Sequence, residues 1–152
     1  MRQQYLALML LAMLAVFGAS GCAALNPPQP TTVPFARFGA QDAFNAFARA
    51  SLEMQNPEKS MVIQGRGAPS EFSDRYLFEV PRIAPVGGQI IVFADAGQLQ
   101  AWQAYIEKLR NSSDTRRDVV FVYFNQNLML QLNPLLTNQE AFAYRDAFMG
   151  LE

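Results

Sequence analysis

The sequence predicts an α+β domain, with three helices and a largely antiparallel sheet of four to five strands in the order α-β-β-α-β-β-α. Three segments carry apolar residues at helical spacing, and between them lie four short runs rich in β-branched and aromatic residues. The runs come in pairs separated by single helices, whereas a doubly wound parallel fold requires strict alternation of strand and helix. The last pair is joined by only Asn125-Gln126-Asn127, a connection suited to a hairpin.

The first helix is expected over Gln41 to Gln55, where Phe44, Phe47, Ser51 and Met54 form a stripe widened by Ala48 and Leu52, and it stops before Pro57. "SMVIQ", Ser60 to Gln64, reads as an additional strand, followed by "YLFEV" from Tyr76 to Val80 and "QIIVF" from Gln89 to Phe93, with Gly87-Gly88 as the turn before the latter. The second helix spans Ala96 to Arg110: Leu99, Trp102, Ile106 and Leu109 make its apolar face, and Asp95 with Gln98 make its capping pair. Then come "DVVFVYF", Asp118 to Phe124, and "LMLQL", Leu128 to Leu132. The third helix runs from Asn138 to Met149, opened by Thr137 with Glu140, faced by Ala141, Tyr144 and Phe148, and stopped near Gly150.

Composition narrows the chemistry. The chain has 152 residues and a net charge of −1, so it lacks the surplus of Lys and Arg on which sequence-independent affinity for nucleic acid depends. It has no histidine, which removes the commonest general base and the commonest transition-metal ligand. Its single cysteine, Cys22, allows no internal disulfide and no paired-cysteine metal site, and no metal or cofactor is expected.

That cysteine follows Arg2, an unbroken apolar run from Tyr5 to Phe17 and the small residues "GASG". The run is too short to span a bilayer, which takes about 20 apolar residues, and it fits the apolar segment of a signal peptide. Behind Cys22, "AALNPPQPTTVPF" is uncharged and proline-rich, as expected of an extended tether. The chain therefore divides into a signal peptide at 1–21, a cysteine and tether at 22–39, and one small α+β domain at 40–152.

Ala19-Ser20-Gly21-Cys22 resembles the lipobox of bacterial lipoproteins. The resemblance implies cleavage before Cys22 and lipidation of its sulfur, so that two or three acyl chains together hold the protein stably on a membrane. The alternatives are an uncleaved anchor and an ordinary secretory peptide with an incidental cysteine. The mature part, "YLFEVPRIAPVGGQIIVFADAGQLQAW" with "VVFVYFNQNLMLQL" and a final helix, is similar to small uncharacterised bacterial lipoproteins. This similarity implies a fold and an extracytoplasmic address, and it carries no site residues. Ala23, in place of aspartate, leaves the outer membrane open in a host that has one.

Four groups of residues invite a functional reading. Gly65-Arg66-Gly67 has too little glycine and no following helix for a phosphate cradle, and reads as a turn. Glu71, Asp74 and Glu79 lack calcium-loop spacing, and read as a solvated loop and strand edge. Lys108, Arg110, Arg116 and Arg117 suit either a helix C-terminus or an anionic surface. In "VVFVYF" both faces are apolar, with Val119, Phe121 and Tyr123 on one and Val120, Val122 and Phe124 on the other. Either helices cover both, or Val120, Val122 and Phe124 form an open face for a ligand or protein partner. The expected role is non-enzymatic binding or a structural part of the cell envelope, the alternatives being an accessory subunit of a membrane complex or a hydrolase. Serine, aspartate and tyrosine show no grouping of nucleophile with base.

Overall fold

The computed structural model describes Phe35 and residues 37–63 and 65–151. The expected signal peptide, Cys22 and most of the tether lie outside the described residues. The elements are α1 (Ala40–Arg49), β1 (Gln55–Lys59), β2 (Asp74–Glu79), β3 (Gly87–Val92), α2 (Ala96–Arg110), β4 (Val122–Asn125), β5 (Leu128–Leu132) and α3 (Asn138–Met149). Single 3-10 turns at Pro81–Ile83 and Arg116–Val119 complete them. The five strands form one sheet in the order β1-β2-β3-β5-β4, every neighbouring pair antiparallel. The fold is α+β, as the pairing of strands predicts.

Alternation along the central strands divides the core in two, because successive strand residues face opposite sides of a sheet. Ile90, Leu128, Leu130 and Leu132 face α1 and α3, where they meet Phe44, Phe47, Tyr144 and Phe148. Ile91 and Met129 face α2, where they meet Trp102 and Ile106. Helices thus cover both faces of the sheet, which is why the inner strands read as continuous apolar runs. Gly88 is required for this packing: a β-carbon there would sit 2.6 Å from Cζ of Phe78.

The ends of α2 and α3 fall where the sequence places them, because their caps are local chemistry. The Asp95 carboxylate accepts from the Gln98 N–H at 2.9 Å, and the Gln98 side-chain oxygen accepts from the Ala94 N–H at 3.0 Å. At α3, Thr137 and Glu140 close a reciprocal capping box.

Four expectations are corrected. Helix α1 ends at Arg49, six residues before Gln55, because Ser51 turns left-handed (φ 55°) and the Leu52 N–H bonds back to the Phe47 carbonyl at 2.9 Å. Together with the bond from the Ser51 N–H to the Ala48 carbonyl, this is a Schellman closure. The fifth strand is Gln55–Lys59, upstream of the expected Ser60–Gln64; it is an exposed edge carrying Pro57, with an irregular register between Gln55 and Glu58. Gly87 and Gly88 open β3 itself, and the turn before it is made by residues 81–86. Finally, Asp118 to Phe121 are not strand: Asp118 and Val119 lie in a 3-10 turn, and Val120 has helical backbone angles. The folded part also reaches upstream of Ala40. Buried Asn127 accepts from the Phe38 N–H at 3.0 Å and donates to the Phe38 carbonyl at 2.7 Å.

Candidate functional site

On the α2 side, the antiparallel register lines up two rows across the sheet. One holds Arg75, Ile91, Met129 and Phe124; the next holds Leu77, Gln89, Gln131 and Val122. The apolar part of the first row packs under α2. Arg75 and the two glutamines lie where the helix does not cover the sheet, and they floor a cavity of about 250 Å³. Trp102, Tyr105, Ile106 and Leu109 of α2 wall it on one side, and Ile63, Gly65 and Arg66 on another. A wider trough of about 530 Å³ continues from the same Arg75, Gln89, Asp118 and Gln131 toward Pro85 and Pro134.

A directed hydrogen-bond chain fixes the floor. Arg75 can only donate, and its Nε donates to Oε1 of Gln89 while its Nη1 donates to the Val62 carbonyl. The Gln89 amide nitrogen must then point onward, and it donates to Oε1 of Gln131 at 2.5 Å. The Gln131 amide nitrogen in turn donates to the Asp118 carbonyl at 2.9 Å. Both amide orientations therefore follow from the guanidinium.

Arg75 is 7% exposed, and burial pushes its pKa down from the ordinary value. The group stays charged at neutral pH, since arginine does not lose its proton in proteins. Its protein partners are neutral oxygens, and among the described residues no carboxylate lies within ion-pair distance of it. A buried charge normally brings its counter-charge with it. The second unmet group is the Trp102 indole, at 3% exposure, whose Nε1 is the one buried side-chain nitrogen or oxygen without a hydrogen-bond partner among the described residues. Edge-on contacts with Phe72 (ring centroids 6.5 Å apart) and Tyr105 (5.8 Å) hold that ring in place.

The residues singled out in the sequence are distributed differently. Cys22 lies outside the described residues. Val120, Val122 and Phe124 do not make one open face: Val120 is exposed in the turn before β4, while Val122 is buried under α2 and Phe124 packs against the same cluster. The basic group is partly consumed by the fold. Arg110 donates to the Val122 carbonyl at 2.7 Å, and Arg116 donates to the Arg110 carbonyl at 3.0 Å, closing the C-terminal end of α2. Asp74 pairs with Lys59, and Glu79 accepts from Asn56 at 2.9 Å, so these carboxylates tie β1 to β2. Gly65-Arg66-Gly67 is a turn, as expected, and it delivers Arg66 to the mouth of the cavity.

Arg75, Gln89 and Gln131 were not legible as a site. Each is a polar residue inside an otherwise apolar strand, which is a signal, but their meeting depends on a register that the sequence does not specify. Among the described residues no group of three potential metal ligands occurs, and no helix is long and apolar enough to cross a membrane. Comparison with known proteins gives no match: no family model fits the chain, and no curated protein and no solved structure is significantly similar to it.

Proposed function

We propose that this chain is an extracytoplasmic lipoprotein, held to a bacterial membrane through Cys22, whose α+β domain binds a ligand without transforming it. The binding half of this reading is supported by one observation above the others: a charged, 93% buried Arg75 that faces a cavity and, among the described residues, has no carboxylate within ion-pair distance, the exposed Asp118 on the same wall included. Evolving such a site for stability alone makes little physical sense, because an unpaired buried charge destabilises a fold unless something supplies the missing partner. The groups that converge on the cavity floor are a guanidinium and two amides, which orient and hold a molecule but do not transfer protons at neutral pH.

The anchoring half rests on the lipobox resemblance at Ala19 to Cys22. A bound diacylglyceryl cysteine would keep the cavity near the membrane surface, with the proline-rich stretch as spacer. Both halves can be tested on the full chain in a bacterial host. Wild-type protein is expected in the membrane fraction, and Cys22→Ala in the unlipidated, uncleaved form. Wild-type protein recovered soluble after export with a free thiol overturns the anchor. Trp102 is the only tryptophan of the chain and lines the cavity, so its fluorescence reports occupancy directly. A periplasmic or envelope extract that leaves Trp102 emission unchanged at every concentration tells against the binding half.

A further inference from the structure

We infer that the Arg75 cavity takes a small organic carboxylate, with its acidic group on Arg75 and its apolar body against α2. This rests on the reading of the domain as a binding module and gives its ligand a chemical class. The Arg75 guanidinium on the floor can only donate hydrogen bonds. It asks for an acceptor. A cationic ligand would meet a like charge in Arg75, and a neutral apolar one would leave that charge unanswered. The formal charges lining the cavity are Arg75, Arg66 and Asp118, a net positive balance, with only Arg75 buried. Arg75 is braced through Nε and Nη1, and among the described residues Nη2 has no acceptor.

The rest of the wall decides between an organic and an inorganic anion. Half-buried Leu109 and Ile63, backed by buried Ile106 and Val119, offer apolar surface that phosphate or sulfate could not use. A carboxylate matches the single charge and the planar geometry of one guanidinium. The space is also bounded. At Gly65 (φ 150°) a β-carbon would lie 2.8 Å from the Tyr105 hydroxyl, so the turn and the helix already approach as closely as glycine permits.

The test is a Trp102 fluorescence titration of the full-length protein in a neutral detergent with four probes: benzoate, benzamide, benzylamine and inorganic phosphate. Benzoate is expected to bind saturably and at least ~10-fold more tightly than the other three, the smallest ratio expected for one charge-assisted hydrogen bond. Arg75→Gln should remove that preference. Should this variant lose its folded circular dichroism spectrum, Arg66→Glu at the exposed mouth provides the second arm, and it should weaken benzoate several-fold while leaving benzamide unchanged. Benzamide or benzylamine binding as tightly as benzoate would overturn the anion assignment while the binding reading stands. Phosphate matching benzoate would overturn the organic body, and silence from all four probes would overturn the carboxylate proposal and count against the binding reading with it.

Discussion

Trp102 carries two opposed contributions. Its ring is buried among Phe72, Phe93 and Tyr105, a large favourable term, while its Nε1–H has lost water without gaining a partner, an unfavourable one. Trp102→Ala removes both and leaves a void, at an expected cost of roughly 3–5 kcal/mol. Trp102→Phe keeps most of the ring contacts and deletes the orphan donor, whose burial costs about 1–3 kcal/mol, so its net penalty should be clearly smaller. Urea denaturation followed by circular dichroism ranks the two variants. Equal losses would mean that the indole nitrogen is satisfied in solution. Tyr144 behaves in the opposite way: its hydroxyl donates to the Glu53 carbonyl, and burial, aided by the charges of Glu53 and Glu140, pushes its pKa up to about 12, so it stays neutral throughout the working range.

Among the elements, the two helix ends show what a sequence does and does not declare. The N-terminus of α3 was legible because Thr137 and Glu140 recognise each other over three residues. The Thr137 hydroxyl and N–H, joined by the Arg82 guanidinium, hold the Glu140 carboxyl down to about 2. A carboxyl depressed in the folded state contributes stability above its unfolded value, near 4.5, and that contribution is lost as pH falls toward 2. Between about pH 5 and pH 2.5, Glu140→Gln should therefore show a flatter decline in denaturation midpoint than the wild type. Parallel declines would place the acid sensitivity elsewhere. The C-terminus of α1 was not legible, since its stop signal is a left-handed Ser51 where glycine is usual, and the apolar spacing ran on through Met54. Ser51 is exposed and pays the left-handed strain without a packing role, so Ser51→Gly should raise stability by roughly 0.5–1 kcal/mol. A destabilised glycine variant would show that the Schellman closure does not limit α1. In "VVFVYF" the failure has another source: hydrophobicity on both faces signals burial on both sides, but it cannot distinguish a long strand from a 3-10 turn leading into a short one.

At the scale of the whole molecule, the fold class followed from local signals and the site did not. Caps, spacing and a short hairpin connection are contained within stretches of a few residues, and they suffice for the order of elements. Which strands become neighbours is a long-range property, and the cavity exists only because β2, β3 and β5 bring Arg75, Gln89 and Gln131 side by side. The unequal covering of the sheet follows from helix count: two helices fill one face, and the single helix on the other leaves a corner open. The same long-range character marks the junction at Phe38. Phe35 packs on the α2 side of the sheet and Phe38 on the α1 and α3 side, and the amide of Asn127, in the turn between β4 and β5, grips the Phe38 backbone from both directions. That grip lies two residues ahead of the first turn of α1. The chain's entry into the domain is thus fastened to the β4–β5 hairpin at one edge of the sheet, by an amide contributed from 89 residues downstream.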